Sequence, residues 1–572
     1  MNYKEHYLKW LDSNAVDSQT KEELKALTDE REIEDRFYKN LEFGTGGIRG
    51  VMAAGSNRMN IYTIAKATQG LSQYLNKHEK NPTICIAYDS RNMSAEFAQE
   101  VASVLAANNV KVYLYDSLRP VPMLSFAVRY MKASAGVVIT ASHNPKQYNG
   151  YKVYGADGAQ ITGEAAGEIL SYIESCDIFE DIRRISLDEA QRLGKLEYMG
   201  EKVDNAYYEK VDSLVIRKDL VKERAKELSI IYTPIHGSGN IPVRTMLSRL
   251  GFSNVSIVPE QELPDGNFPT ASYPNPENKD VFDLAIKLAQ KVAPDLIFGT
   301  DPDCDRIGVL VKMDSGDYTV LTGNQVGVLL TDYILGARKE KGLLSKKDTI
   351  IKTIVSTGMV DGICEAYDAE VMDVLTGFKY IGEKIKEFEE TNSNYFAFGF
   401  EESYGYLAGD FVRDKDAVIA SVLIAEMALY HQCQGKNLYE ALQDLFEKYG
   451  YYKEGQVSIE MKGKDGQEKI AQIISHLREN PPKGINNILI TQIEDYEFSQ
   501  LTDIESGEKT PIDLPQSNVI KFTLEDGSWA VVRPSGTEPK MKIYVAITGE
   551  SEKESNDKLQ VFTEAAVKLI QG

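Results

Sequence analysis

Long apolar runs are missing from this sequence. The longest, at 417–430, contains Glu426 and is too short for a bilayer span of about 20 residues, so it is expected to be a buried helix. The first fourteen residues are polar and charged, without the apolar core of a secretory signal. Cysteine is scarce: Cys85, Cys176, Cys304, Cys364 and Cys433 are odd in number, and no two are close enough for CxxC chemistry. That usage predicts reduced thiols in a cytoplasmic protein. Positive charge is also short. Lys and Arg total 64 against 86 for Asp and Glu, a net charge of −22. Nonspecific nucleic-acid binding and a basic membrane-facing surface are therefore not expected. Any anionic ligand must meet cations placed locally.

What is present is an ordinary globular composition, 42% hydrophobic and 26% charged over 572 residues. At about 150 residues per domain, the length suggests three to five domains. Such a chain can bury a core without disulfides or structural metal.

One pattern recurs. Starting at Thr83, Leu228 and Asp348, a short β-branched apolar run is followed by a polar loop, an amphipathic helix and another short apolar run. This is the sequence form of a βαβ unit. The three copies suggest three similar α/β domains, although one large α/β domain would also produce them. The C-terminal part differs. Strands are expected at 518–524, 529–532 and 540–547, with a hairpin turn at Asp526-Gly527 and a closing helix at 552–570, an α+β arrangement with an antiparallel sheet. The stretch 495–516 reads as an exposed loop and the segment up to Glu42 as helices. The expected division is 1–205, 206–320, 321–440 and 441–572.

Five motifs carry chemistry. In Asp301-Pro302-Asp303-Cys304-Asp305-Arg306, carboxylates at alternate positions can converge on one hard cation, and oxygen ligands suit Mg²⁺. A calcium EF-hand fails on spacing, because Arg306 stands where glycine is needed and Lys312 where the bidentate Glu belongs; a solvated acidic turn remains the alternative. In Gly136–Pro145, an apolar strand delivers Ser142 to a turn at Asn144-Pro145. A serine there can be a nucleophile or phosphate carrier, with His143 to move a proton and Lys152 to supply charge, or the segment is an ordinary turn. Arg533-Pro534-Ser535-Gly536-Thr537 combines a guanidinium, hydroxyls and free amides, which suits a phosphate dianion; a polar hairpin loop would account for part of it. Glu401-Glu402-Ser403-Tyr404-Gly405 could hold vicinal sugar hydroxyls or be an exposed acidic loop. Residues 44–50 read as a glycine-rich loop whose Arg49 could contact phosphate. It is neither a P-loop, lacking GK[ST], nor a dinucleotide fingerprint, lacking a clear preceding strand.

TASHNP around Ser142, DPDCDR at 301–306, EESYG at 401–405 and RPSGTEPK at 533–540, in this order, closely resemble the signature loops of the α-D-phosphohexomutases. LEFGTGGIRG (41–50), TPIHGSG (233–239), TGFKYIG (376–382) and the length resemble that family's long bacterial phosphoglucomutase branch, related to phosphopentomutases and glucose-1,6-bisphosphate synthases. The resemblance implies three similar mixed-sheet α/β domains plus a C-terminal α+β domain around a central cleft. They would carry in turn the phosphoserine loop, the Mg²⁺ loop, the sugar loop and the phosphate loop.

It also implies roles for residues. Ser142 would carry the phosphoryl group. Asp301, Asp303 and Asp305, with an oxygen on phosphorylated Ser142, would hold Mg²⁺. Lys152, with His143 nearby, would act as general acid or base, and Arg49 and Arg306 would surround the transferring phosphate. Thr376, Gly377, Lys379, Glu401 and Ser403 would orient the sugar, with Lys415 a further active-site lysine. Arg533, Ser535, Gly536 and Thr537 would clamp the other phosphate. Cys304 stands where the family commonly has Gly or Ala, and its side chain is expected to point away from the metal.

The implied reaction interconverts α-D-glucose 1-phosphate and D-glucose 6-phosphate, with glucose 1,6-bisphosphate as intermediate and activator. The same framework would also serve a phosphomannomutase or phosphopentomutase. A Mg²⁺-dependent sugar phosphohydrolase would instead release phosphate. The expected partners are small sugar phosphates, and the expected assembly is a monomer or homodimer.

Overall fold

The computed structural model describes residues 2–44, 46–461, 463–534 and 540–570. The chain forms two compact units. One contains residues 1–323 and 381–437, and the other 324–380 and 438–572.

The first unit opens with three short helices, Tyr3–Asp12, Ser18–Lys25 and Glu30–Phe37, as the N-terminal sequence predicts. Asn2, Asp17 and Asp29 cap them by accepting backbone N–H groups. Trp10, Val16, Leu24 and Phe37 form their own small core with Tyr62.

A six-stranded mixed sheet follows, in the order Gly47–Val51, Tyr148–Gly155, Ala135–Ile139, Thr83–Tyr88, Lys111–Tyr115, Leu196–Met199. The last four strands run parallel; the first two are antiparallel additions at one edge. Ala135–Ile139 is buried at every position, as a strand covered on both faces must be. Helices Ile61–His78 and Ser94–Ala107 pack on the sheet through Ile64, Leu71, Phe97 and Val101.

The second sheet has five strands, ordered Tyr318–Val320, Ile307–Lys312, Leu296–Thr300, Ile230–Thr233, Val255–Ile257. Its core is built from Ile231, Phe282, Ile297 and Leu310. Strands Tyr395–Glu401 and Gly405–Leu407 form a tight antiparallel pair in the same unit. Helix Ala417–Cys433 is buried all round its first thirteen residues, Glu426 included, in accord with its sequence. No helix among the described residues is long and apolar enough to cross a membrane.

In the second unit, parallel strands Asp348–Thr353 and Glu370–Val374 are joined by helix Met359–Tyr367, the third βαβ unit. The C-terminal sheet is antiparallel and runs Tyr451–Glu460, Lys540–Gly549, Trp529–Pro534, Ile520–Leu524, Ile488–Asp495, Gln500–Asp503, Lys509–Pro511. Helix Glu552–Lys568 closes it, with Phe562 and Ala566 in the core.

Two local expectations change. Residues 495–516 are not simply a loop, since they hold strands Gln500–Asp503 and Lys509–Pro511. These lie at the sheet edge and bury little, so their composition carries no apolar alternation. The glycine-rich segment is partly strand: Gly47–Val51 pairs with Tyr148–Gly155 in exact register, Gly47 opposite Lys152 and Arg49 opposite Gly150. A Cβ on Gly47 would sit 2.4 Å from the Tyr151 carbonyl oxygen, so the glycine is what lets the strands meet.

Candidate active site

Several strands of the first unit end at one place. Ala135–Ile139 runs into Thr140-Ala141-Ser142, Leu296–Thr300 into Asp301, and Thr83–Tyr88 into Asp89. Ligand sites of α/β sheets lie beyond such carboxyl ends, where loops are free of the ladder.

Ser142 is buried, with φ of 52°. Its hydroxyl donates to Asp301 Oδ2 at 3.0 Å and lies 3.2 Å from His143 Nδ1. Its N–H donates to Thr140 Oγ1. Asp301, Asp303 and Asp305 are all buried and offer oxygens within 4.8 Å of one another. Asp301 Oδ1 accepts the N–H groups of Asp305 and Arg306, which folds the loop back on itself. Cys304 is buried with φ of 53°, and its Sγ packs against Gly239.

The loop fits a hard cation. Oδ1 of Asp303 and Oδ1 of Asp305 are buried with no hydrogen-bond partner, a costly arrangement unless a ligand fills it. Burial, then Asp303 and Asp305, hold the Asp301 carboxyl well above the ordinary range. Asp303 goes the other way: burial would raise it, but Lys152 and its hydrogen bonds carry it below. Three buried carboxylates at this separation repel one another unless cations intervene. These residues could hold a metal, and oxygen donors match Mg²⁺.

Two lysines already face the aspartates. Lys152 Nζ donates to Asp303 Oδ2 at 3.1 Å. Lys415 Nζ lies 3.2 Å from Asp305 Oδ2 and donates to Asp414 Oδ1 at 2.8 Å. Burial works against the Lys415 ammonium, but Asp305, Asp414 and Glu401 outweigh it and raise its pKa. Burial pushes the His143 imidazole well below its ordinary range, and Arg306 and Arg49 push it further, so it is neutral at neutral pH.

Arg49 reaches the serine loop by donating to Asn144 Oδ1 at 3.1 Å. Arg306 donates to Glu277 Oε1 at 2.8 Å. Glu401 ends its strand opposite Gly405, and Ser403 lies in the intervening turn. Thus Ser142, His143, Lys152, Arg49, Arg306, Lys415 and the three aspartates come together, with Glu401 close enough to act on the charges of Arg306 and Lys415.

The remaining candidates fall in the second unit. Thr376 and Gly377 follow strand Glu370–Val374, Gly377 with φ of 121°, and Lys379 lies over the Tyr380 ring. Arg533 stands on strand Trp529–Pro534 opposite Lys542. Ser535, Gly536 and Thr537 lie outside the described residues.

The structure adds residues that no motif singled out. Asp89 and Arg91 form a buried pair behind the serine loop. Glu277 partners Arg306, and from the same segment Tyr273 sets its ring edge-on to His143, centroids 5.7 Å apart. Asp89-Ser90-Arg91 directly after an apolar strand was a signal available in the sequence; Glu277 left none.

A strand-end serine, an acidic loop beside it that could hold a cation, and converging cations are the parts that phosphoryl transfer requires. The comparisons with known proteins agree. Phosphoglucomutase/phosphomannomutase alpha/beta/alpha domains I, II and III match residues 40–178, 205–314 and 322–449, and the C-terminal domain of the same family matches 484–561. A phosphoglucomutase of Staphylococcus haemolyticus is 37% identical over 546 residues, covering 95% of this chain and 96% of its own length.

Among solved structures, the Paramecium phosphoglucomutase pp63/parafusin in its open form superposes with a TM-score of 0.68 at 15% identity, over 93% of this chain and 96% of that one. Aspergillus fumigatus N-acetylphosphoglucosamine mutase, solved with GlcNAc-6P and magnesium, has a TM-score of 0.51 at 14% identity, covering 93% of this chain and 96% of that one. A serine-to-alanine variant of the same enzyme was solved with glucose 1,6-bisphosphate. The chain belongs to the phosphoglucomutase/phosphomannomutase family, the α-D-phosphohexomutases.

Proposed function

We propose that this chain is a phosphoglucomutase, an isomerase that interconverts α-D-glucose 1-phosphate and D-glucose 6-phosphate through phosphorylated Ser142 and glucose 1,6-bisphosphate. The observation that carries the reading is the 3.0 Å approach of the Ser142 hydroxyl to Asp301, beside two further aspartates, in a chain whose curated relatives are phosphoglucomutases over nearly its full length.

Phosphorylated Ser142 gives its phosphoryl group to O6 of glucose 1-phosphate; the Ser Oγ–P bond breaks as the O6–P bond forms. The O6 proton passes to a side chain of the site. His143, kept neutral by burial and two arginines, can accept it, and Lys152 is the other candidate. The bisphosphate turns around; the O1–P bond breaks as a new Ser142 Oγ–P bond forms, the proton taken from O6 is delivered to O1, and glucose 6-phosphate leaves. Asp301, Asp303, Asp305 and an oxygen of phosphorylated Ser142 would hold Mg²⁺, which when bound offsets charge on the transferring group.

Arg49, Arg306 and Lys152 add positive charge around that group. Glu401 and Ser403, with Thr376, Gly377 and Lys379, orient the sugar hydroxyls. Lys415 holds Asp305 and Asp414 in place. Arg533, with Ser535, Gly536 and Thr537, clamps the phosphate that is not in transit. The fourfold division at 205, 320 and 440 gives each signature loop its own domain. The five free thiols fit a cytoplasmic setting.

The test is turnover of glucose 1-phosphate in Mg²⁺, with intact-mass and peptide mapping of Ser142 after exposure to glucose 1,6-bisphosphate. Glucose 6-phosphate formation and one phosphoryl group on Ser142 are expected. Release of inorganic phosphate without isomerisation, or no label on Ser142, would refute the reading.

A further inference from the structure

Behind the serine loop lies a fully enclosed polar cluster that the motifs do not assign. The Arg91 guanidinium is buried and lies 5.1 Å from the Phe268 ring centroid. Its Nη1 donates to the carbonyl oxygens of Pro145 and Tyr148, and its Nη2 to those of Ser142 and Asn144. One side chain therefore satisfies four carbonyls of the segment that carries Ser142.

That segment needs such a partner. Ser142 has φ of 52°, a left-handed conformation that a serine holds only when its surroundings enforce it. The carbonyls of Ser142, Asn144 and Pro145 lie between strands Ala135–Ile139 and Tyr148–Gly155, outside the ladder, where a buried carbonyl left unpaired is costly.

Asp89 holds both sides of the arrangement. Its Oδ2 lies 3.3 Å from Arg91 Nε and accepts the Thr140 hydroxyl at 2.7 Å. Thr140 Oγ1 in turn accepts the Ser142 N–H at 2.8 Å and lies 3.1 Å from Asp303 Oδ2. Asp89 Oδ1 accepts the Ser94 hydroxyl and the Arg91 N–H. Through Thr140 one carboxylate fixes the amide side of Ser142, and through Arg91 the carbonyl side. A buried ion pair is weak evidence for stability, since apolar replacements of such pairs are often neutral. Fixing one geometry is the better account of this one.

Resting on the phosphoserine reading above, we propose that Arg91 and Asp89 are positioning residues for phosphoryl transfer, a clamp that presents Ser142 Oγ to the three aspartates. Neither touches the substrate; both act through the loop backbone. A planar guanidinium can address four carbonyls in a fixed fan, and an ammonium cannot.

The test compares wild type with Arg91→Lys in three measurements: kcat and KM for glucose 1-phosphate, the rate of Ser142 labelling by glucose 1,6-bisphosphate followed by intact mass, and the unfolding midpoint. Because a displacement of about 1 Å at a reacting atom can cost roughly 100-fold in rate, kcat and the labelling rate are expected to fall together by about that factor. KM should stay within about threefold, since the sugar contacts lie elsewhere. A wild-type rate of labelling in Arg91→Lys would overturn the clamp. So would a loss of stability with unchanged kcat, the signature of a merely structural arginine. Should Arg91→Lys not fold, Asp89→Asn carries the same comparison, with the same outcomes supporting or overturning the proposal. An unlabelled wild-type enzyme would instead overturn the phosphoserine reading, so the two failures are distinct.

Discussion

Gly405 offers a sharp test of how the acidic loop is held. A Cβ at this position would lie 2.2 Å from Lys415 Cδ and 2.6 Å from its Cγ, well inside the contact distance of about 3.5–4.0 Å. The lysine cannot simply swing away, because Nζ is anchored at 3.2 Å to Asp305 and at 2.8 Å to Asp414. Overpacking of this kind costs about 1–3 kcal/mol. Stiffening of the unfolded chain returns about 0.4–1 kcal/mol. If the shift also separates Lys415 from its carboxylates, the loss of a buried partner adds about 3–5 kcal/mol.

Gly405→Ala should therefore destabilise by about 1–2 kcal/mol if the lysine moves within its pair, and by about 5 kcal/mol if the pair breaks. Where the pair breaks it should also weaken catalysis, since Asp305 loses its nearest ammonium. The assay is a double-mutant cycle on the urea midpoint and on kcat with Gly405→Ala, Lys415→Met and both together. If the clash acts through Lys415, Gly405→Ala does little in the Lys415→Met background. A full, undiminished loss in that background, or no loss in wild type, refutes the reasoning.

Four further outcomes are expected. Ser142→Ala should abolish turnover with an unchanged unfolding midpoint; near-normal activity would remove the covalent carrier. Asp303→Asn should raise the Mg²⁺ needed for half-maximal activity at least about tenfold, because a ligand charge is lost, and an unchanged metal titration would count against the loop. Arg533→Ala should raise the KM for glucose 1-phosphate by about 10- to 100-fold, the worth of a charged hydrogen bond, and an unaltered KM would remove the clamp. Burial pushes the Asp416 carboxyl from 3.8 up to about 7 although it caps helix Ala417–Cys433 and accepts from Tyr207. The folded state then holds this proton more tightly than the unfolded chain. Its contribution is fully present below pH 3.8 and is lost as pH rises through about 7, a swing on the order of 4 kcal/mol. Asp416→Asn keeps an acceptor for the cap and should remove that slope. Parallel midpoint-versus-pH curves for variant and wild type would contradict it.

Much of this molecule is written locally. The three βαβ units, the C-terminal antiparallel strands and the buried helix after Asp416 follow from runs of β-branched residues, turn pairs and apolar continuity, all read within about ten residues. Strands without an apolar face escaped that reading. Gln500–Asp503 and Lys509–Pro511 sit at a sheet edge and bury little, and Gly47–Val51 looked like a loop because the glycines that permit close strand approach also resemble turn residues.

The linear order of residues settled which functional groups are present: a serine after an apolar strand, aspartates at alternate positions, an arginine-led polar loop. Folding alone decided how they meet. Ser142 and Asp301 are 159 positions apart, and Lys152 and Asp303 are 151 apart, so no spacing rule brings them to 3.0 and 3.1 Å. The Arg91 clamp, the Glu277 partner of Arg306 and the passage that Gly405 leaves for Lys415 depend on long-range contacts as well. Hydrogen bonds and close packing are short-ranged, so chemistry is legible along the chain whereas geometry exists only once distant strands converge.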